Sequence, residues 1–313
     1  MVFAGGSHTM LAARIADELG VRLGAVERAR RPDGETHARY AETVRGADVF
    51  LVQSCARPTN DHLVELLVMV QAARYASART VTAVIPWYPY ARQDKVEAVG
   101  EPLSARLVAD LLVAAGVDAA VSVDLRVSQI QAFAPFPIHH LSAFPMLSDM
   151  VAGPAGGGEP LVVVSPDTGR LDAARDVAAR LGASVALITK ERPEQQTARA
   201  TGLVGDVEGR TCVVLDDMID TAGTLCAAGE TLREHGAARV WACATHAVLS
   251  PPACERLAAS VFERIVVTDT LPVDASRCPP NLEIVSVAGL LATAIRAIMS
   301  QESLTARLGD AHR

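Results

Sequence analysis

The chain has 313 residues, of which 50% are hydrophobic, 4% aromatic and 21% charged. That length and apolar content suit two ordinary domains with buried cores and exclude a disordered chain. The net charge is −7, with 36 acidic residues against 29 basic, the wrong sign for a protein that grips nucleic acid across its surface.

Any anionic ligand must therefore be met by a local cluster of cations. Of the 29 basic residues only Lys95 and Lys190 are lysines. The bias goes with abundant Ala, Val and Gly and reads as a high-GC coding sequence, which turns Lys into Arg wherever either will do. The two survivors therefore stand out. The cysteines Cys55, Cys212, Cys226, Cys243, Cys254 and Cys278 form no CxxC pair and no zinc spacing with histidine. They read as buried core thiols of a cytosolic protein. No run reaches the about 18 uninterrupted apolar residues of a membrane helix; residues 107–123 come nearest, broken by Asp110 and Asp118. The first residues lack the basic and apolar regions of a secretory signal, so the expected compartment is the cytoplasm, without membrane or nucleic-acid partners.

In chain order, residues 49–53 and 81–86 read as buried strands, with a helix over 61–75 between them. A helix over 102–115 and a strand over 119–123 follow. The pattern resumes with a strand at 161–164, a helix at 171–181, strands at 184–188 and 211–215, a helix at 224–235 and a strand at 239–244. An amphipathic helix over 290–299 precedes a polar, frayed tail at 301–313. Strand–helix alternation implies an α/β fold of mainly parallel sheets flanked by helices, with ligands at the carboxyl ends of strands. The stretch 152–160, Ala-Gly-Pro-Ala-Gly-Gly-Gly-Glu-Pro, reads as a flexible loop. The expected domains are 1–147 and 148–313, with the terminal helix free to pack back on the first. The halves echo each other: strand, polar loop and helix recur at 49–60 and 211–224, and a strand ending in a polar loop at 85–94 and 242–250. This reads as duplication of one α/β unit.

The sharpest local feature is Val213-Val-Leu-Asp-Asp-Met-Ile-Asp-Thr-Ala-Gly-Thr224. An apolar strand delivers Asp216 and Asp217, and a short loop with Asp220, Thr221, Ala222, Gly223 and Thr224 opens into a helix. Free N–H groups at a helix start, with two threonine hydroxyls, make a phosphate cradle. Gly223 lets the backbone approach without a Cβ in the way. Paired carboxylates can accept hydrogen bonds from vicinal hydroxyls, so acids followed by a phosphate cup fit a sugar phosphate. There is no GxxxxGK[ST] and no strand-linked GxGxxG.

This loop resembles the phosphoribosyl-binding signature of type I phosphoribosyltransferase folds. The chain as a whole is similar to the ribose-phosphate pyrophosphokinase family through Pro32-Asp-Gly-Glu35, Pro58-Thr-Asn-Asp61, Tyr90-Ala-Arg-Gln-Asp94, Ser128-Gln-Ile-Gln131, Ser165-Pro-Asp167, Ala244-Thr-His246 and Val267-Thr-Asp-Thr270. The resemblance implies two similar phosphoribosyltransferase-like domains, an ATP side and a pentose-phosphate cup. It implies transfer of diphosphate from Mg-ATP to the anomeric hydroxyl of ribose 5-phosphate or a related pentose phosphate, releasing AMP. It also implies Lys190 and Arg192 as the catalytic cations, a mobile point charge beside a rigid fork. Asp33 and Glu35 would lie near the adenine, with Arg92, Gln93 and Asp94 near base and phosphates. Asp167 would be associated with Mg2+, and His246 falls in a matching motif while being as suited to a structural role. The family assembles as dimers to hexamers with the adenine site completed by a neighbour, which implies a homo-oligomer.

Several positions depart from the family pattern. Arg31 replaces a Phe, and its guanidinium can stack on adenine. Arg126 stands in Asp124-Leu-Arg126 where the family has the His that helps bind metal–ATP; an arginine cannot ligate a metal but can contact a phosphate. The loop Lys95-Val-Glu-Ala-Val-Gly-Glu101 loses basic residues, with Gly100 where Arg is common. Arg170 replaces a second glycine, and Ala173 an arginine. Three readings follow: a working diphosphokinase with an altered ATP site, a weakly active or non-catalytic paralogue that regulates a partner synthetase, and a phosphoribosyltransferase using the same cup.

Overall fold

The computed structural model describes residues 1–155, 160–190 and 201–308. Contacts divide the chain into two units: Met1–Ser142 with Thr270–Pro272 and Ser286–Arg313, and Ala143–Asp269 with Val273–Val285.

The first unit begins β1 (Val2–Ala4), α1 (Thr9–Leu19), β2 (Leu23–Gly24), β3 (Val26–Arg30), β4 (Thr36–Tyr40) and β5 (Asp48–Val52). It continues α2 (Thr59–Tyr75), β6 (Thr80–Val84), α3 (Ser104–Ala115), β7 (Ala119–Val123) and β8 (Ile138–Leu141). Six strands form a parallel sheet in the order β2-β1-β5-β6-β7-β8. The inner strands β5, β6 and β7 are buried after their first residue, as helices on both faces of a parallel sheet require. The strands β3 and β4 form a separate antiparallel hairpin, with Val26 opposite Tyr40 and Arg30 opposite Thr36. Its apolar face docks through Val26, Ala38 and Tyr40. The Tyr40 ring meets Phe3 edge-on with centroids 4.7 Å apart, and its hydroxyl donates to Met69 O at 2.9 Å.

The second unit runs α4 (Phe144–Ala155), β9 (Leu161–Ser165), α5 (Leu171–Leu181), β10 (Ser184–Lys190), β11 (Thr201–Val204) and β12 (Thr211–Ile219). Then come α6 (Gly223–Glu234), β13 (Arg239–Ala247), α7 (Ala253–Ala258), β14 (Arg264–Thr268) and β15 (Leu282–Val285). The sheet order is β11-β10-β9-β12-β13-β14-β15, with only the edge strand β11 antiparallel. The helix α8 (Ala288–Ser300) rejoins the first unit, packing on α1, where Arg296 donates to the Glu18 carbonyl. Both units are thus mainly parallel sheets flanked by helices.

Several boundaries differ from the sequence reading. The strands β12 and β13 run to Ile219 and Ala247 rather than 215 and 244. They keep pairing with each other after the β9 ladder ends with Val164 opposite Val214 and the β14 ladder with Val267 opposite Ala244. The acids and His246 therefore ride on a two-stranded ribbon that polarity disguised. The helix α4 reaches Ala155, so part of the Gly/Pro-rich stretch is helical backbone; Pro154 has no N–H to give the Met150 carbonyl four residues back, and that carbonyl accepts from Arg264 Nη1 at 2.7 Å. Within the tail read as frayed, Leu304–Leu308 is helical. The cysteines do not all lie in the core. Cys55, Cys212 and Cys243 are buried, whereas Cys226, Cys254 and Cys278 are partly exposed.

Candidate active site

In the second unit, β9 and β12 are neighbours, so their carboxyl ends place Asp167 and the Asp220–Thr224 loop at the same sheet edge. Ala222 is the N-cap of α6 and adopts the left-handed region at φ 60°, a conformation that costs an alanine about 1–3 kcal/mol and marks functional turns. It swings Gly223 into the first turn of α6. A Cβ on Gly223 would come within 3.3 Å of Arg256 Nη1. The first N–H groups of α6 have no intrahelical acceptor and share the positive end of the helix dipole, which suits a phosphate. Thr221 and Thr224 are exposed beside them. Arg256 of α7 donates from Nη1 to Thr221 O at 3.0 Å, a cation at the cup that sequence reasoning missed. It lies 35 residues along the chain, and nothing local in Ala-Cys-Glu-Arg-Leu marks it.

The two acids of β12 are not equivalent. Asp217 is buried, with 3% of its side chain exposed, and forms an ion pair with Arg170, whose side chain is 16% exposed. Asp216 accepts the Asp217 N–H at 2.8 Å through Oδ1. Burial, then the adjoining Asp217 carboxyl, pushes Asp216 up to about 8. Two touching carboxyls cannot both ionise cheaply. Asp216 therefore holds its proton more tightly than a free carboxyl does, while the Arg170 guanidinium lies against Asp217. The sequence marked Arg170 only as a replacement for glycine.

Asp167 is exposed and caps a 3-10 turn, Thr168–Arg170, by accepting the Gly169 N–H at 2.9 Å. Among the described residues no three His, Cys, Asp or Glu side chains converge as a metal cage. A single hard carboxylate fits Mg2+ that arrives on substrate phosphates, since that ion keeps most of its shell from water and phosphate. Lys190 ends β10, opposite Thr201 of β11. Arg192, between those strands, lies outside the described residues, as does the side chain of Lys190. His246 is buried in β13 opposite Met218, and its backbone forms an isolated antiparallel bridge with Asp269.

In the first unit, Asp33 and Glu35 sit exposed at the tip of the β3–β4 hairpin. Gly34 N–H donates to Arg31 O and Arg31 N–H to Glu35 O, both at 2.8 Å, and Asp33 Oδ1 accepts the Glu35 N–H at 3.0 Å. The start of α2 ties this hairpin to the next loop. Arg30 pairs with Asp61 at 2.6 Å, and Tyr90 donates its hydroxyl to Asn60. Tyr90 has φ 58° and leads to exposed Arg92 and Gln93 and partly buried Asp94. Gln93 accepts from the Ser104 hydroxyl and from the Ala105 N–H at 3.1 Å, so it also anchors the start of α3. Arg126 is exposed, two residues after Asp124 with φ 37°. Lys95 is bonded to Glu97 at 2.9 Å, which raises its pKa most, while nearby Arg126 lowers it. Glu101 accepts the N–H groups of Glu97 and Ala98, each at 3.0 Å. The acids of this loop thus close on its own lysine and backbone.

Strain has a pattern. Of the six left-handed non-glycine residues among the described ones, Ser77 and Gln301 follow helices, and Tyr90, Asp124, Ala222 and Leu249 lie in the loops that follow parallel strands. The hairpin of Asp33 and Glu35 apart, the candidate residues after β6, β7 and β12 share these loops.

A parallel sheet whose strained turn opens a helix N-terminus beside an acid pair defines the class, an α/β protein of the phosphoribosyltransferase-like kind. The comparisons narrow it. The N-terminal domain of ribose phosphate pyrophosphokinase matches residues 1–116, and the phosphoribosyl synthetase-associated domain matches residues 197–308. Ribose-phosphate pyrophosphokinases from a Nostoc species and from Fusobacterium nucleatum are 45% and 42% identical, covering 97% of this chain and 92% and 96% of theirs. The crystal structure of phosphoribosylpyrophosphate synthetase from Mycobacterium smegmatis has a TM-score of 0.91 at 45% identity, covering 96% of this chain and 99% of that one. This chain belongs to the ribose-phosphate pyrophosphokinase family. Near-full-length kinship with enzymes of that name favours the diphosphokinase reading over a non-catalytic paralogue or a transferase.

Proposed function

We infer that the chain is a ribose-phosphate diphosphokinase, which moves diphosphate from ATP to the anomeric hydroxyl of ribose 5-phosphate and releases AMP. The observation that carries this is the β12–α6 turn, where an acid pair, left-handed Ala222 and an open helix start stand in sequence. In this reading the N–H groups of α6 and the hydroxyls of Thr221 and Thr224 hold the 5-phosphate, and Asp220 lines the loop. Asp216 and Asp217 receive the pentose hydroxyls. Asp33 and Glu35 orient the adenine, and Arg92, Gln93, Asp94 and Arg126 bind the triphosphate side. Lys190 and Arg192 neutralise the migrating phosphoryl groups, where charge stabilisation does most of the catalytic work. Asp167 would hold Mg2+, which supplies further positive charge to the phosphates.

Arg126 beside Lys95 supports direct cation contact on the triphosphate, in place of part of the metal's charge. We also assign a cytoplasmic homo-oligomer. Among the described residues no helix is long and apolar enough to cross a membrane, and Tyr75 and Val99 are large apolar side chains fully open to solvent on a single chain. The test is incubation with ribose 5-phosphate, Mg2+ and ATP. One AMP should appear per phosphoribosyl diphosphate; absence of the corresponding nucleoside monophosphate with every pentose phosphate and nucleoside triphosphate overturns the reading. Light scattering on the same sample measures assembly, and a monomer at all concentrations refutes that part.

A further inference from the structure

Cys254 of α7 and Cys278, which follows the 3-10 turn Ala275–Arg277, belong to the second unit and are both partly exposed. Their Sγ atoms lie 2.8 Å apart although the residues are 24 positions apart in sequence. That separation is less than an ångström longer than a covalent S–S bond of about 2.0 Å. Metal binding is a poor use of the pair: two thiols are half of a structural zinc site, and no set of three ligating side chains exists among the described residues. Burial and the bond to Cys254 push the Cys278 thiol up to about 12, which makes Cys278 a poor nucleophile at neutral pH and leaves the 2.8 Å approach of the two sulfurs as the feature that favours their linkage.

Two residues along α7 from Cys254 stands Arg256. Its guanidinium donates to Thr221 O at 3.0 Å, and its carbonyl meets the Cys226 thiol at 3.8 Å. A clamp on α7 is therefore also a clamp on the Asp220–Thr224 loop.

We propose that Cys254 and Cys278 are a reversible disulfide site whose oxidation tethers α7 and, through Arg256, steadies the phosphate loop. The chemistry balances with a low-molecular-weight disulfide such as oxidised glutathione as electron acceptor. One protein thiolate attacks it, forming a mixed disulfide and expelling one glutathione thiol. The second protein thiolate displaces the other. Two protein thiols lose two protons and two electrons, and one glutathione disulfide becomes two glutathione thiols. A dithiol reverses the sequence. Intracellular disulfides of this kind are transient and responsive to redox state.

The effect on turnover rests on the diphosphokinase reading; the cross-link does not. The full chain is incubated with oxidised glutathione, quenched, digested without reductant and analysed by mass spectrometry. The expected product is a peptide pair joined through Cys254 and Cys278, two mass units lighter than the separate peptides and released by dithiothreitol. It should vanish in Cys254→Ser and in Cys278→Ser and persist in Cys226→Ser. Failure of this cross-link to form, while a control peptide dithiol in the same tube oxidises, overturns the site. Preferential linkage of Cys254 to another cysteine overturns it too. Oxidation should also slow amide exchange at residues 220–226 at least threefold and lower KM for ribose 5-phosphate two- to fivefold with kcat unchanged. A cross-link that leaves both exchange and KM unmoved overturns the tether to the loop. If no variant or oxidation state turns over, the exchange measurement still decides the tether, and the diphosphokinase reading fails separately.

Discussion

Replacing Arg170 by alanine removes the guanidinium that meets the buried Asp217 carboxylate. The pair is well shielded, with 3% of the Asp217 side chain and 16% of the Arg170 side chain exposed. Removing one partner from such a pair leaves an uncompensated charge, at a cost of about 3–5 kcal/mol. Here the second acid sharpens the effect, because Asp216 stands beside Asp217 and is already held up to about 8. At roughly 2–4 °C per kcal/mol, the thermal midpoint at pH 8 should fall by about 6 °C or more. The loss should shrink at pH 5, where protons can discharge the acid pair that Arg170 no longer balances. Thermal scans of Arg170→Ala, Asp217→Asn and the double variant at both pH values measure this. Asp217→Asn should recover much of the Arg170→Ala loss, with a coupling energy of about 2 kcal/mol or more between the two sites. A midpoint drop under about 2 °C, or equal losses at both pH values, would refute the reasoning that Arg170 balances this charge.

Asp216 gives a stability profile of its own. Its folded pKa of about 8 lies above the ordinary value of 3.8, so the native state holds a proton that the unfolded chain sheds. Its stabilising contribution is full below about pH 4 and drains as pH rises to about 8; Asp216→Asn should flatten thermal midpoints between pH 5 and 8, and an unchanged slope counts against the shift. Lys190→Ala should abolish AMP release while leaving ribose 5-phosphate binding, measured by calorimetry, within about threefold; lost binding would move Lys190 from catalysis to the cup. Arg256→Gln should raise KM for ribose 5-phosphate roughly tenfold, the order of one charge-assisted hydrogen bond of about 1.5 kcal/mol, and an unaltered KM would leave Arg256 a bystander. Arg126→His should weaken ATP binding if this arginine touches phosphate, and tighter binding would instead identify the native residue as a defect.

The alternation of strands and helices was legible because β5, β6 and β7 are sealed on both faces and read as unbroken apolar runs. The hairpin of β3 and β4 escaped because it is half-exposed, with Glu27, Arg28, His37 and Arg39 interleaved among few apolar residues. The ends of β12 and β13 escaped because Asp216, Asp217, Thr245 and His246 interrupt the apolar run while the two strands go on pairing to Ile219 and Ala247. The candidate phosphate loop was legible because its residues run contiguously from Asp216 to Thr224. Its supports were not: Arg170 meets Asp217 across 47 positions and Arg256 meets Thr221 across 35. The thiol pair was hidden for the same reason, since spacing along a chain says little about meetings made by a loop's return.

The return of α8 to α1 has a consequence for synthesis. The unit that starts at Met1 contains residues 286 onward, so its last structural piece leaves the ribosome after the entire second unit. At about 5–20 residues per second, the first-made sheet waits on the order of ten to thirty seconds for that helix. During the wait, the face of α1 that packs against α8 has no lid. The half translated second is therefore the first that can be finished, and nascent chains in between are the ones a chaperone would be expected to hold.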